Sequence, residues 1–208
     1  MVVYPAFITL IWCYQKKHKQ EAPMEIILMR HGKPVFEGIS RVTSREMADW
    51  IRHYDSSDIG RDMPPECSQI LASSASRIIS SPLPRALSSV NTLGRESDVI
   101  DDVFREAGLP ILHLPGFRLS PVVWAAFFRV MWLCGISRDV EPLGTAKQRA
   151  VQASGILVTV AKASNGPVLL MGHGVMNRLI ARELISLGMK EYRRQGKKYW
   201  DAGIYKLK

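Results

Sequence analysis

Two short apolar runs, each ending in a histidine beside glycine, constrain this chain more than any other feature. The first is Glu25-Ile26-Ile27-Leu28-Met29 followed by Arg30-His31-Gly32, and the second is Pro167-Val168-Leu169-Leu170-Met171 followed by Gly172-His173-Gly174. A near-continuous apolar run closed by a turn residue is the pattern of a parallel strand buried on both faces. In open sheets of such strands, ligands bind at the strands' carboxyl ends. Two histidines carried to strand-end turns therefore imply one shared site. Helical and strand patterns alternate along the rest of the chain. Helices are expected from Thr43 or Ser44 to Tyr54, from Pro64-Pro65 to Ser73, from Pro84 to Gly94, from Leu143 to Ala163 and from Val175 to Leu187. Further strands are expected at Val99 to Val103 and Tyr199 to Lys206. The architecture this predicts is α/β, a three-layer doubly wound sandwich with a mostly parallel central sheet flanked by helices.

The side chains at the turns suggest what the site holds. Arg30 offers a planar fork of donors suited to phosphate or carboxylate, while neutral His31 can serve as a base, a nucleophile or a metal ligand. A third element, Arg77-Ile78-Ile79-Ser80-Ser81-Pro82-Leu83-Pro84-Arg85-Ala86, reads as a short strand, a Ser-Ser-Pro turn and a helix with Arg85 in its first turn. Helix N-termini already favour anions, so Arg85 adds a guanidinium where negative charge is welcome. Two arginines and two histidines converging on one crevice describe a strongly positive pocket for a phosphoryl group.

These elements, in this order, resemble the histidine phosphatase superfamily, which includes cofactor-dependent phosphoglycerate mutases and many small phosphomonoesterases. The resemblance rests on Arg30-His31-Gly32, on Ser81-Pro82-Leu83 through Arg85-Ala86, and on Gly172-His173-Gly174, and it spans most of Met24 to Lys208. It implies a phosphoglycerate mutase-like fold, His31 as the nucleophile that takes up the phosphoryl group, and Arg30, Arg85 and His173 as its binding residues. It also implies a carboxylic acid that protonates the leaving oxygen. Glu106, in Val103-Phe104-Arg105-Glu106-Ala107-Gly108, matches that position, with Asp101 and Asp102 as nearby alternatives. The scheme calls for no metal and no cofactor. Where mutases carry an Asn soon after Arg-His-Gly, this chain has Glu37, and the Glu106 segment lacks the Trp-Glu-Gly ending common in sugar-phosphate phosphatases. A phosphatase of unassigned substrate, acting on a small-molecule phosphate ester or a phosphoprotein, is therefore expected ahead of a mutase. The alternatives are a protein phosphohistidine phosphatase and a non-catalytic phosphate-binding module of the same fold.

Composition bounds the remaining classes. The chain's 208 residues, 47% of them hydrophobic, suffice for one well-buried domain. Cys13, Cys67 and Cys134 are widely spaced and odd in number, which reads as reduced thiols in a cytoplasmic protein, and His18, His53 and His113 show no ligand spacing. Of the net charge of +9, residues 1–23 carry +2 and residues 178–208 carry +6, leaving +1 for the remainder. Such basic runs read first as solvated faces, and no nucleic-acid motif accompanies them. Residues 1–23 are apolar and then basic; they read as an extension ahead of a domain spanning 24–208, with Met24 as the natural start, or alternatively as a membrane-surface anchor.

Between Leu109 and Glu141, Pro110, Pro115 and Pro121 precede an aromatic-rich helix from Val122 to Cys134, too short to span a bilayer. The first expectation is a helix buried on the sheet or against a second copy of the chain. The alternative is a cap over the pocket, with Trp124 selecting apolar or aromatic esters.

Overall fold

The computed structural model describes residues 24–35 and 41–207. The expectations for residues 1–23, Cys13 and Glu37 therefore lie outside the described residues.

A six-stranded sheet forms the centre, built from β1 (Met24–Arg30), β3 (Arg77–Ser80), β4 (Val99–Ile100), β6 (Val168–Gly172), β7 (Lys190–Arg193) and β8 (Ala202–Leu207) in the spatial order β4-β3-β6-β1-β8-β7. The first three junctions are parallel and the last two antiparallel, so the sheet is mixed and mostly parallel through its centre, as the expected architecture requires. β1 lies inside the sheet with neighbours on both sides, and Ile26, Ile27, Leu28 and Met29 are fully buried. Successive side chains of a strand point to opposite faces. Ile26 and Leu28 accordingly join one core and Ile27 and Met29 the other.

Six helices occur among the described residues: α1 (Met47–Ser56), α2 (Glu66–Ser74), α3 (Pro84–Thr92), α4 (Pro121–Leu133), α5 (Leu143–Ala163) and α6 (Gly174–Ser186). One core is closed by α5 and α6. The α5 residues Ala146, Ala150, Ala153, Leu157 and Ala161 recur at helical spacing and are small enough to bring that helix close to the strands. The other core is closed by α2 and α3 through Ala72, Ala86 and Val90. None of the six helices is long and apolar enough to cross a membrane.

Outside these layers, β2 (Val42–Thr43) and β5 (Arg118–Leu119) pair as a small antiparallel ribbon. Before α1, the Thr43 N–H donates to Glu46 and the Glu46 N–H donates to the Thr43 hydroxyl, at 2.7 and 3.3 Å. This reciprocal pair identifies Thr43, of the two expected capping residues, as the one that meets Glu46. The strand expected to run to Val103 stops at Ile100, because the Asp101 carboxylate accepts from the Val103 N–H and starts a 3-10 turn over Asp102–Phe104. The final strand begins at Ala202 rather than Tyr199, after a loop whose Trp200 adopts φ +64°.

The aromatic helix α4 is packed rather than perched over a pocket. Trp124 and Phe128 are buried with Val42 and Met47, and the Trp124 indole donates to the Val42 carbonyl at 2.9 Å. Trp132 reaches the α5 side of the sheet. The reading of Trp124 as a substrate-selecting residue is therefore corrected: its ring is enclosed by the ribbon and α1. Val122, Val130 and Leu133 lie on the exposed side of the same helix.

Candidate active site

Parallel pairing brings the sequence motifs together. Arg30 at the end of β1 is in register with Gly172 at the end of β6, and Ser80 at the end of β3 with Met171. His31, His173 and Ser81 therefore leave the sheet at one edge. The rings of His31 and His173 lie 5.0 Å apart, centre to centre, and both residues are buried. Arg85, in the first turn of α3, is also buried, and its charge bears on both imidazoles, as does that of Arg30.

Backbone contacts set the orientation of His31. Its Nδ1 lies 2.7 Å from the Gly32 carbonyl oxygen, which can only accept, so Nδ1 carries the proton and the lone pair resides on Nε2. The Gly32 N–H donates to the Ser89 hydroxyl at 2.9 Å, which in turn donates to the Arg85 carbonyl at 2.6 Å. A Cβ on Gly32 would stand 2.5 Å from the Trp200 ring, so this turn accepts only glycine. Burial, followed by the Arg85 charge and more weakly that of Arg30, lowers the His31 pKa to about 3, despite the opposing hydrogen bond to Gly32. The neutral imidazole is thus the form present at neutral pH.

His173 is held from two sides. Its Nε2 lies 2.8 Å from the Ser81 hydroxyl, whose oxygen already accepts the Leu83 N–H at 3.3 Å. Its backbone N–H donates to Asn177, whose side-chain amide donates to the Met29 carbonyl of β1. Burial is the largest cause of a His173 pKa well below the ordinary value, with His31 and Arg85 adding to it.

Glu106 reaches the site on a loop clamped by two arginines. Arg149 of α5 ion-pairs with Glu141 and donates to the carbonyls of Val103 and Arg105, at 2.9 and 2.7 Å. Arg129 of α4 donates to the carbonyls of Ala107 and Gly108, at 2.7 and 3.1 Å. The Glu106 carboxylate accepts from the N–H groups of Val175 and Met176 at the start of α6, at 3.0 and 2.9 Å. A Cβ on Gly174 would lie 3.8 Å from both the Arg30 guanidinium carbon and the Glu106 carboxylate, so the two face each other across that glycine. Asp101 and Asp102 are engaged on the 3-10 turn and exposed, with Asp102 paired to Arg105. Of the three candidate acids, the fold brings Glu106 to the start of α6, directly after His173 and beside Arg30.

Two tyrosines complete the wall, and the sequence offered no pattern that marked them. The Tyr199 ring lies 4.3 Å beneath the Arg30 guanidinium and 5.6 Å from the His31 ring, and Tyr54 lies 4.8 Å from Arg85. Burial pushes the Tyr54 pKa up, and the neighbouring Tyr199 pushes it the same way. Arg85 Nη1 also donates to Asp55 at 3.0 Å and to the Tyr54 carbonyl at 3.2 Å. Among the described residues, no group of three or more His, Cys, Asp or Glu is arranged to hold a metal ion.

Comparison with solved structures gives the same fold at low identity. Mycobacterial hydrolase 1 is 16% identical with a TM-score of 0.56, covering 88% of this chain and 97% of its own. A phosphoserine phosphatase of Entamoeba histolytica is 13% identical with a TM-score of 0.55, over 88% of this chain and 93% of its own. A mycobacterial glucosyl-3-phosphoglycerate phosphatase, solved with vanadate, is 15% identical with a TM-score of 0.54, over 86% and 91%. No curated protein sequence matches the chain significantly. The sequence model of the histidine phosphatase superfamily (branch 1) matches residues 26–199, from the middle of β1 to the tyrosine beneath Arg30. With the strand-end histidines and arginines falling inside that match, the chain belongs to the histidine phosphatase superfamily.

Proposed function

We propose that the protein hydrolyses a phosphomonoester through a phosphohistidine formed on Nε2 of His31. One observation carries this reading. Arg30 Nε, Arg85 Nε and His173 Nδ1 are buried and have no hydrogen-bond partner among the described residues. An unmet buried donor costs about 1–3 kcal/mol, so three of them around one imidazole favour an oxyanion with several acceptor oxygens. If the Ser81 hydroxyl donates to His173 Nε2, the proton of His173 sits on Nδ1, the atom that lacks a partner.

In the first step the His31 lone pair attacks phosphorus and the bond to the ester oxygen breaks in line. Arg30, Arg85 and His173 spread their donors over the equatorial oxygens, where phosphoryl transfer needs charge stabilisation. Glu106, as the acid, gives its proton to the departing alkoxide. In the second step the same carboxylate removes a proton from water, which attacks phosphorus and releases phosphate and His31. This scheme uses no metal. Two similar structures, a glucosyl-3-phosphoglycerate phosphatase and a phosphoserine phosphatase, agree with the reaction class.

The test is hydrolysis of p-nitrophenyl phosphate near pH 6 without added metal. His31→Ala should lower turnover by about three orders of magnitude or more, and Glu106→Gln by roughly two. Turnover of His31→Ala at the wild-type rate would overturn the reading.

A further inference from the structure

A basic groove lies beside the elements that carry the candidate site. It has a volume of about 430 Å³ and lies between α6 and the β7–β8 hairpin. Arg178, Arg182, Arg194 and Lys197 line it, against one acid, Glu191. All four cations are exposed, and among the described residues none has an ion-pair or side-chain hydrogen-bond partner. Glu191 accepts instead from the Tyr205 hydroxyl, at 3.2 Å.

The groove is tied to the site through α6. Gly174 faces Arg30 and Glu106, and Arg178 and Arg182 follow it at intervals of four residues, which places all three on one stripe of the helix. At 1.5 Å of rise per residue, the two arginines stand roughly 6 and 12 Å along the axis from Gly174. The opposite wall is fixed to the site as well. Arg30 Nη1 donates to the Lys197 carbonyl at 2.5 Å, and the Lys198 N–H and the Gln195 side chain are held by Asp201, at 3.0 and 3.3 Å.

We propose that this groove binds a second oxyanion of the substrate, so that the ester hydrolysed at His31 also carries a phosphate or carboxylate roughly 6–12 Å from the scissile phosphorus. The inference rests on the phosphatase reading and specifies its substrate class. A neutral alcohol as leaving group would gain nothing from four unpaired cations, whereas an anionic one exchanges its water for guanidinium forks that match oxyanions. Because the cations are exposed, the gain should shrink as ionic strength rises.

The double variant Arg182→Ala/Arg194→Ala removes one cation from each wall and touches neither the core nor the histidines. We expect it to raise KM for butanediol bisphosphate about tenfold while leaving kcat/KM for p-nitrophenyl phosphate within about twofold of wild type. Phosphonooxybutanoate, run in parallel, tells a carboxylate-selecting groove from a phosphate-selecting one by which KM moves further. Equal effects on the mono-anionic and the two-headed esters, or none on either, would overturn the proposal. Calorimetric binding of the bisphosphate to both proteins separates this inference from the reading beneath it. Binding lost in the double variant, with no turnover by wild type, would uphold the groove and sink the phosphatase reading. Binding unchanged in the double variant would sink the groove, whatever the turnover.

Discussion

At the scale of single residues, the site depends on hydrogen bonds that settle which nitrogen holds a proton. The Gly32 carbonyl does this for His31, while the Ser81 hydroxyl holds the Nε2 side of the His173 ring. Ser81→Ala would remove the partner of His173 Nε2 in a fully buried setting. We expect kcat for p-nitrophenyl phosphate to fall about tenfold with KM nearly unchanged, because one neutral hydrogen bond is worth about 1 kcal/mol and this one acts on an oriented group. Recovery of most of kcat by Ser81→Thr would mark a positioning role; loss of kcat in both variants alongside a lowered melting temperature would mark simple packing. The residues legible in the sequence, Arg30, His31, Arg85, His173 and Glu106, all stand at a strand end, a helix start or a recognisable loop. Tyr54 and Tyr199 escaped notice because each takes its role from a neighbour far off in sequence: Tyr54 faces Arg85, and Tyr199 faces Arg30. Asn177 escaped for the same reason, joining β1 to the turn after β6.

At the scale of elements, the aromatic helix α4 takes its meaning from its one charged residue. Arg129 is largely buried, stacks 4.8 Å over Trp132, and donates to the two carbonyls that follow Glu106. Burial lowers its pKa, while the carboxylates of Glu106 and Glu141 oppose that shift. The helix therefore acts on the candidate acid through the backbone of its loop. Trp124→Ala should cost roughly 3–5 kcal/mol in urea unfolding, the range for emptying a large aromatic site. It should change KM for bulky and small aryl phosphates alike, and a selective rise for the bulky ester would instead place Trp124 against substrate. The long helices and the apolar strands were readable because periodicity and burial agree in them. β2, β5 and β7 were not. Two of them are only two residues long, and Lys190–Arg193 is wholly exposed, so neither alternation nor an apolar run announces it.

At the scale of the whole molecule, the buried histidines tie stability to pH. The folded His31 pKa of about 3 lies below the ordinary value of 6.5, so the unfolded chain takes up a proton that the folded chain refuses. Stability is therefore full above about pH 6.5 and drains away as pH falls towards 3, and His173, shifted the same way, adds to the loss. Between pH 7 and 5 we expect His31 alone to account for roughly 2 kcal/mol of lost stability, readable as a falling urea midpoint. The fall should be shallower in His31→Asn, and a midpoint independent of pH would contradict the burial argument. The sheet order carries a different consequence. β1 has β6 on one side and β8 on the other, both far later in the sequence. β1 is synthesised before both of these neighbours and must wait for them. Until they arrive, its apolar residues have no neighbouring strand to pair with, so a nascent chain exposes a sticky segment until β6 is made. The candidate site, which needs Arg30 in register with Gly172, forms only once that long-range pairing is made.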